Sequence, residues 1–300
     1  MSEGTINRRK LITMGSAAAA GGLLGLSLVP AEARAASRTA GSARRSAATW
    51  ENIIEKSSFS STTAFTQEWN YGYPWGNTHN GAAKMLNSKV TLSGGVLTLT
   101  ATRLSQPDGQ SASPPHAPLW YHSGAIHAKE PILVDDQFPE YDIEGEFRTR
   151  TGLGIWPAFW TTGIAPNWPP ESDILEYVGD STNLFNTWTK EAGENDPAER
   201  HELSGHDPST WHRYRLWMEK DGDDVILDYY FDYGENDGWK VTHRGVGWAG
   251  IPQHLIMNLQ MGSWASQVDV NDPLWSQQPG PSGNTTFQAR NVWVGRTRNW

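Results

Sequence analysis

The chain has 300 residues, a formal net charge of −9, sixteen tryptophans and no cysteine. Without a thiol there is no disulfide framework and no cysteine-based catalysis, and a negative surface opposes nucleic acid and polyanionic glycans at long range. The length, with no internal repeat, suits one large domain with a substantial core.

Residues 1–35 read as an export signal. Arg8-Arg9-Lys10 precedes Leu11-Ile12, an Ala/Gly/Leu run follows, and small residues at Ala31, Ala33 and Ala35 offer a cleavage site. The paired arginines resemble twin-arginine signals, which carry folded proteins across a bacterial membrane. The apolar run is too short and too rich in Ala and Gly to span a membrane, so a secreted chain with no membrane attachment after cleavage is expected. Removing these residues takes away four basic and two acidic side chains and leaves a net charge of −11. A neutral polymer is therefore the favoured partner. Residues 36–48 form a low-complexity Ala/Ser/Arg linker. Residues 49–300 are expected to be a single monomeric domain.

In chain order, the predicted strands are Lys89 to Leu92, Val96 to Thr100, Tyr141 to Arg148, Val225 to Phe231, His254 to Leu259 and Asn291 to Val294. Each is a short alternating or β-branched run bounded by Gly, Pro, Asn or Asp. The segment Ser93-Gly94-Gly95-Val96 reads as a tight hairpin turn. No stretch sustains an apolar pattern of helical period. The expected architecture is all-β, two antiparallel sheets packed as a sandwich.

Indole is mostly buried, so some of the tryptophans belong to the core. Trp69, Trp75, Trp168, Trp239 and Trp264 sit beside turn residues, where exposure is expected. Indole faces stack on the apolar faces of sugar rings, and roughly a third of the tryptophans are expected to line a carbohydrate cleft.

The chemistry lies in Glu171-Ser172-Asp173-Ile174-Leu175-Glu176. On a regular strand Glu171 and Asp173 share a face and Glu176 points away. One extra residue near Ile174-Leu175 returns Glu176 to that face, and such β-bulges are frequent beside active sites. Three convergent carboxyl groups could not all ionise freely. One would stay charged to attack and another would keep a proton for a leaving oxygen, which is the division glycoside hydrolysis needs. Taken alone, the spacing fits an acidic, solvent-facing strand equally well.

The surroundings separate these readings. The segment resembles the bulged Glu-x-Asp-x-x-Glu signature of glycoside hydrolase family 16, which includes laminarinases, lichenases, agarases and carrageenases. Upstream, Gly154-Ile155-Trp156-Pro157-Ala158-Phe159-Trp160 is similar to the family's Gly-x-Trp-Pro-Ala-Phe-Trp strand. Tyr121-His122-Ser123-Gly124, Trp211-His212-Arg213-Tyr214 and Ile256-Met257-Asn258-Leu259 resemble its Tyr-Thr-Ser-Gly, Trp-His-x-Tyr and Ile-x-Asn-Leu segments. The resemblance spans nearly all of the chain after the signal.

The resemblance implies a concanavalin-like β-jelly roll with an open concave cleft. It also implies Glu171 as nucleophile, Glu176 as general acid/base and Asp173 as the partner that holds and tunes the nucleophile. The implied reaction is a retaining double displacement on a β-linked polysaccharide, with no metal or organic cofactor in the chemistry. Family members often hold a structural calcium on the convex face. Asn186 and Trp188 after the catalytic strand, Trp156 and Trp160 on the cleft floor, Trp264, and Glu144 are the implied substrate contacts. Two departures stand out. Ser172 replaces the usual Ile or Val and, facing the core, needs a hydrogen-bond partner. The His that many laminarinases carry is absent from residues 184–189. The expected substrate is β-1,3- or mixed-linked glucan ahead of β-galactans such as agar or carrageenan. A transglycosylase and a non-catalytic lectin on the same sandwich are the alternatives.

Overall fold

A computed structural model describes residues 49–193, 196–233 and 238–299. The expected export signal over residues 1–35 and the expected linker over 36–48 lie outside the described residues. The first part of the chain forms β1 (Thr49–Ile54), β2 (Trp69–Tyr71), β3 (Ala83–Met85), β4 (Val90–Ser93), β5 (Val96–Arg103), β6 (Tyr121–Ser123) and β7 (Ala125–Ala128). Then come β8 (Glu140–Thr149), β9 (Ile155–Gly163), β10 (Glu171–Glu176), β11 (Asn183–Trp188) and β12 (Glu199–Leu203). The last five are β13 (His212–Asp221), β14 (Asp224–Phe231), β15 (Trp239–Gly245), β16 (Gln253–Met261) and β17 (Thr285–Arg298). Among the described residues there is one α-helix, α1 (Thr62–Glu68), whose first turn is capped where Ser61 Oγ accepts from the Ala64 N–H at 3.1 Å. No helix among them is long and apolar enough to cross a membrane.

Two sheets make the expected sandwich. One runs β12-β11-β10-β9-β16-β7-β2, and the other β15-β14-β13-β8-β17-β5-β6-β3, with β1 beside β17 and β4 beside β5. Pairing departs from antiparallel at one place. There β3 and β6 run parallel, and the hairpin β4–β5 lies between them in sequence. That hairpin turns on Gly94 and Gly95, whose φ values of 58° and 77° lie where a side chain would be strained.

Strand alternation sorts the side chains into layers. On β8, Tyr141, Ile143 and Phe147 turn into the core, where Phe147 meets Phe159 of β9 with ring centroids 4.8 Å apart. The expected exposure of Trp69 is corrected: it is 1% exposed and packs on Phe59 at 5.7 Å, because the turn after β1 and helix α1 fold over it.

The sheets are also tied by buried hydrogen bonds directly behind β10. The Tyr229 hydroxyl on β14 reaches Ser172 Oγ at 2.7 Å and Thr187 Oγ1 at 2.8 Å, and donates to the Asn186 carbonyl at 3.2 Å. Ser172 thus has the partner that its burial requires. Burial pushes the Tyr229 phenol well up, so it stays protonated. The chain continues from Thr187 Oγ1 to His243 Nδ1 at 2.8 Å, and from His243 Nε2 to His201 Nδ1 at 2.7 Å.

Burial first, and repulsion from His201 second, hold His243 down at about 4, against its ordinary 6.5. The unfolded chain therefore takes up this proton first on acidification, so this residue favours unfolding progressively as pH falls from 6.5 towards 4. Denaturant unfolding across this range should show the wild type losing stability faster than His243→Gln. Equal losses would contradict the placement of a neutral imidazole in this network.

Candidate active site

The geometry of β10 is set by one residue. Asp173 pairs with Trp160 of β9 and Leu175 with the adjacent Phe159, so Ile174 is extra. Ile174 and Leu175 both enter the core, and Glu176 returns to the face of Glu171 and Asp173, opposite the small Ala158. The three carboxylates line one cleft together with Tyr73, His79, Trp156 and Trp160. The bulge falls where pairing with β11 stops, after Asp173 and Asn186. The Glu176 N–H donates to Asn183 Oδ1 at 3.0 Å.

Polar donors hold each carboxylate. Asn186 on β11, cross-strand from Asp173, donates through Nδ2 to Asp173 Oδ2 and to Glu176 Oε2, both at 2.9 Å. Its Oδ1 accepts from Arg200 Nε of β12 at 2.7 Å. Trp156 Nε1 donates to Glu176 Oε1 at 2.9 Å, and Trp168, in the loop before β10, donates to Glu171 Oε2 at 2.8 Å. Donors aimed at ionised oxygens are among the stronger hydrogen bonds and fix the acceptor's direction. Asp173 and Glu176 thus share one amide.

The remaining predicted residues divide. Trp160 donates to Asn258 Oδ1 at 2.8 Å, and its ring is flanked by His79 at 6.1 Å and Trp75 at 6.2 Å. Trp264 leans on Trp156 at 5.1 Å. Trp188 pairs across from Glu171 but is only 1% exposed, with Trp168 packed on it at 6.0 Å. It supports Trp168 and has no free face for a ligand. Glu144 is not at the cleft, which corrects the expectation. It lies on β8 of the other sheet, where the inward turn of Ile143 puts it on the outer face beside Lys56 at 2.6 Å, Arg213 at 3.9 Å and Tyr233. Among the described residues no group of three or more His, Asp or Glu side chains is arranged to hold a metal ion.

Sequence reasoning gave no role to Arg200, His79 or Tyr73, and noted Trp75 and Trp168 only as tryptophans near turns. Trp168 carried a usable signal, since it lies three residues before Glu171. Arg200 and His79 carried none, because Arg200 reaches Asn186, and His79 the cleft, from remote segments. Trp75 is 45% exposed, its ring stacked on Tyr73 at 5.2 Å and its edge near Trp160 of the cleft.

The sequence model of glycosyl hydrolases family 16 matches residues 86–289. The chain belongs to this family. It is 39% identical over 254 residues to the galactan endo-β-1,3-galactanase of Flammulina velutipes, covering 82% of this chain and 91% of that protein. A shorter match, 33% identical over 131 residues, relates 40% of this chain to 25% of the endo-1,3-1,4-β-glycanase ExsH of Rhizobium meliloti (strain 1021). Among solved structures, the endo-1,3-β-glucanase of Streptomyces sioyaensis shares the fold, with a TM-score of 0.59 at 18% identity over 84% of this chain and 97% of that one. The family 16 chain is a glycoside hydrolase.

Replacing Trp168 by Phe keeps a smaller aromatic ring on Trp188 and removes the N–H to Glu171. Losing a hydrogen bond to a charged group is expected to lower kcat/KM roughly 10- to 100-fold. Initial rates on a cleaved polysaccharide, alongside thermal unfolding, check this. An unchanged kcat/KM would show that the indole does not act on Glu171.

Proposed function

We propose that the chain is an exported, retaining endo-hydrolase of a neutral β-1,3-linked galactan, with Glu171 as nucleophile, Glu176 as general acid/base and Asp173 as the carboxylate that tunes them. The observation that carries this reading is the convergence of all three carboxylates, through the bulge at Ile174, on one cleft with aromatic walls. Glu171 would attack the anomeric carbon while Glu176 protonates the departing glycosidic oxygen, leaving a glycosyl ester on Glu171. Glu176, now a base, would take a proton from water as the water oxygen displaces Glu171, giving a product of retained configuration. No cofactor enters these steps.

Two observations bear on the polymer. Among the described residues the cleft lining contains Glu171, Asp173 and Glu176 and no Lys or Arg, which favours an uncharged chain over a sulfated or uronate-bearing one. The Flammulina velutipes relative, matched over 91% of its length, is a galactanase, and this moves β-1,3-galactan ahead of the glucans favoured from sequence alone. Mixed-linked or β-1,3-glucan is the second reading, supported by the shorter match to ExsH. The twin-arginine-like start supports export.

A panel of linear β-1,3-galactan, laminarin, mixed-linked glucan and κ-carrageenan, followed by reducing-end release and product sizing, tests the substrate. Short galacto-oligosaccharides from β-1,3-galactan are expected. Dominant cleavage of laminarin would select the glucan reading, and binding without release of reducing ends would select a lectin. Azide separates the two Glu roles. It should restore turnover of Glu171→Gly with an inverted glycosyl azide, and of Glu176→Ala with a retained one; the opposite pattern would exchange the assignments.

A further inference from the structure

The side-chain amide of Asn186 is a switchable group. It has a donor end and an acceptor end of nearly the same shape, and rotating it by half a turn exchanges them. As placed, the donor end touches both Asp173 Oδ2 and Glu176 Oε2 at 2.9 Å. Rotated, it would present a carbonyl oxygen to two carboxylates, a repulsive contact that also leaves Glu176 Oε2 without this donor. On the cleft side the two carboxylates oppose that rotation, and on the far side Arg200 opposes it, because its Nε donates to Asn186 Oδ1 at 2.7 Å. Arg200 is cross-strand from Asn186 in the β11–β12 pairing, so its reach is fixed by the sheet register. Unlike an amide, a guanidinium can only donate, so it accepts one orientation of Asn186 and no other.

We propose that Arg200 is a positioning residue of the reaction: by fixing the Asn186 amide with its donor end towards the cleft, it holds Glu176 and Asp173 in the arrangement from which the proton is delivered. Arg200 touches neither carboxylate through this bond and acts through Asn186. The alternation of β12 leaves it this role. Neighbouring His201 turns to the opposite side to meet His243, and Glu199 Oε1 accepts the Arg244 N–H. The inference rests on the proposed role of Glu176 as acid/base.

The test is a double-mutant cycle on the polymer that the wild type cleaves. Arg200→Met, which keeps the apolar stem and removes the donors, should lower kcat roughly 10- to 100-fold, as misplacement of a catalytic group does, with KM little changed and the unfolding midpoint held. Arg200→Lys retains the charge without the Nε–H and should recover little of the loss. In an Asn186→Ala background, Arg200→Met should have no further effect on kcat. Equal losses in both backgrounds, a loss confined to KM, or full recovery in Arg200→Lys would overturn the proposal. If Arg200→Met does not fold, the same cycle run with Arg200→Lys decides it. A readout independent of turnover separates this failure from failure of the functional reading. In 15N-labelled protein the Asn186 side-chain amide resonances, assigned by their loss in Asn186→Ala, should shift and broaden in Arg200→Met. Unaltered resonances would refute the orienting role whatever the enzyme cleaves.

Discussion

A single unpaired residue in β10 sets the rest of the site. A strand permits side chains at positions two apart to share a face, and the five-residue span from Glu171 to Glu176 violates that period. The bulge at Ile174 absorbs the odd residue, and the core bears the cost by accepting Ile174 and Leu175 side by side. Everything else at the site follows from that local choice. Pairing with β11 stops, Asn183 takes the Glu176 N–H, and the room opposite Glu176 is left by Ala158. The bulge is also braced from behind, because Tyr229 of the opposite sheet binds Ser172 and Thr187 on the two strands that carry the polar groups.

Rigid placement matters because, in the proposed mechanism, the chemistry depends on where two carboxyl groups stand relative to a sugar ring. Each is held by donors on separate elements: Trp168 from a loop for Glu171, and Trp156 of β9 with Asn186 of β11 for Glu176. Groups fixed in this way before substrate arrives need little reorganisation during the reaction, which is the main source of electrostatic catalysis. The aromatic walls then supply binding with little demand for charge, consistent with a cleft in which His79 is the only basic side chain among the described lining residues.

How much of this was legible beforehand depended on how local each signal was. The Glu-x-Asp-x-x-Glu spacing requires a bulge if the three carboxylates are to meet, and the resemblance to family 16 decided that they do. The need of Ser172 for a partner followed from its phase on the strand, although the partner, Tyr229, is 57 residues away and could not be named. The Gly94-Gly95 hairpin was readable because only two residues are involved. Glu144 failed because a match to a family position does not say which sheet a strand joins; the apolar Tyr141, Ile143 and Phe147 on alternate positions already implied that Glu144 faces outward. Arg200 and His79 were invisible for a different reason, since no periodicity links a residue on an edge strand or in a loop to a cleft assembled from remote segments. Trp188 and Trp69 show the limit of composition, because an indole near a turn or on a cleft strand can still be roofed by another ring.

The central claim, that Glu171 is the group the bulged strand presents to the anomeric carbon, is tested most directly by trapping it. A 2-deoxy-2-fluoro glycoside of the cleaved sugar with a good leaving group should form a stable glycosyl-enzyme, because the fluorine slows both formation and hydrolysis of the ester while the good leaving group speeds formation alone. Peptide mapping by mass spectrometry should then find a single sugar on Glu171. A label on Glu176 or Asp173, or turnover to an inverted product with no trapped species, would contradict the account.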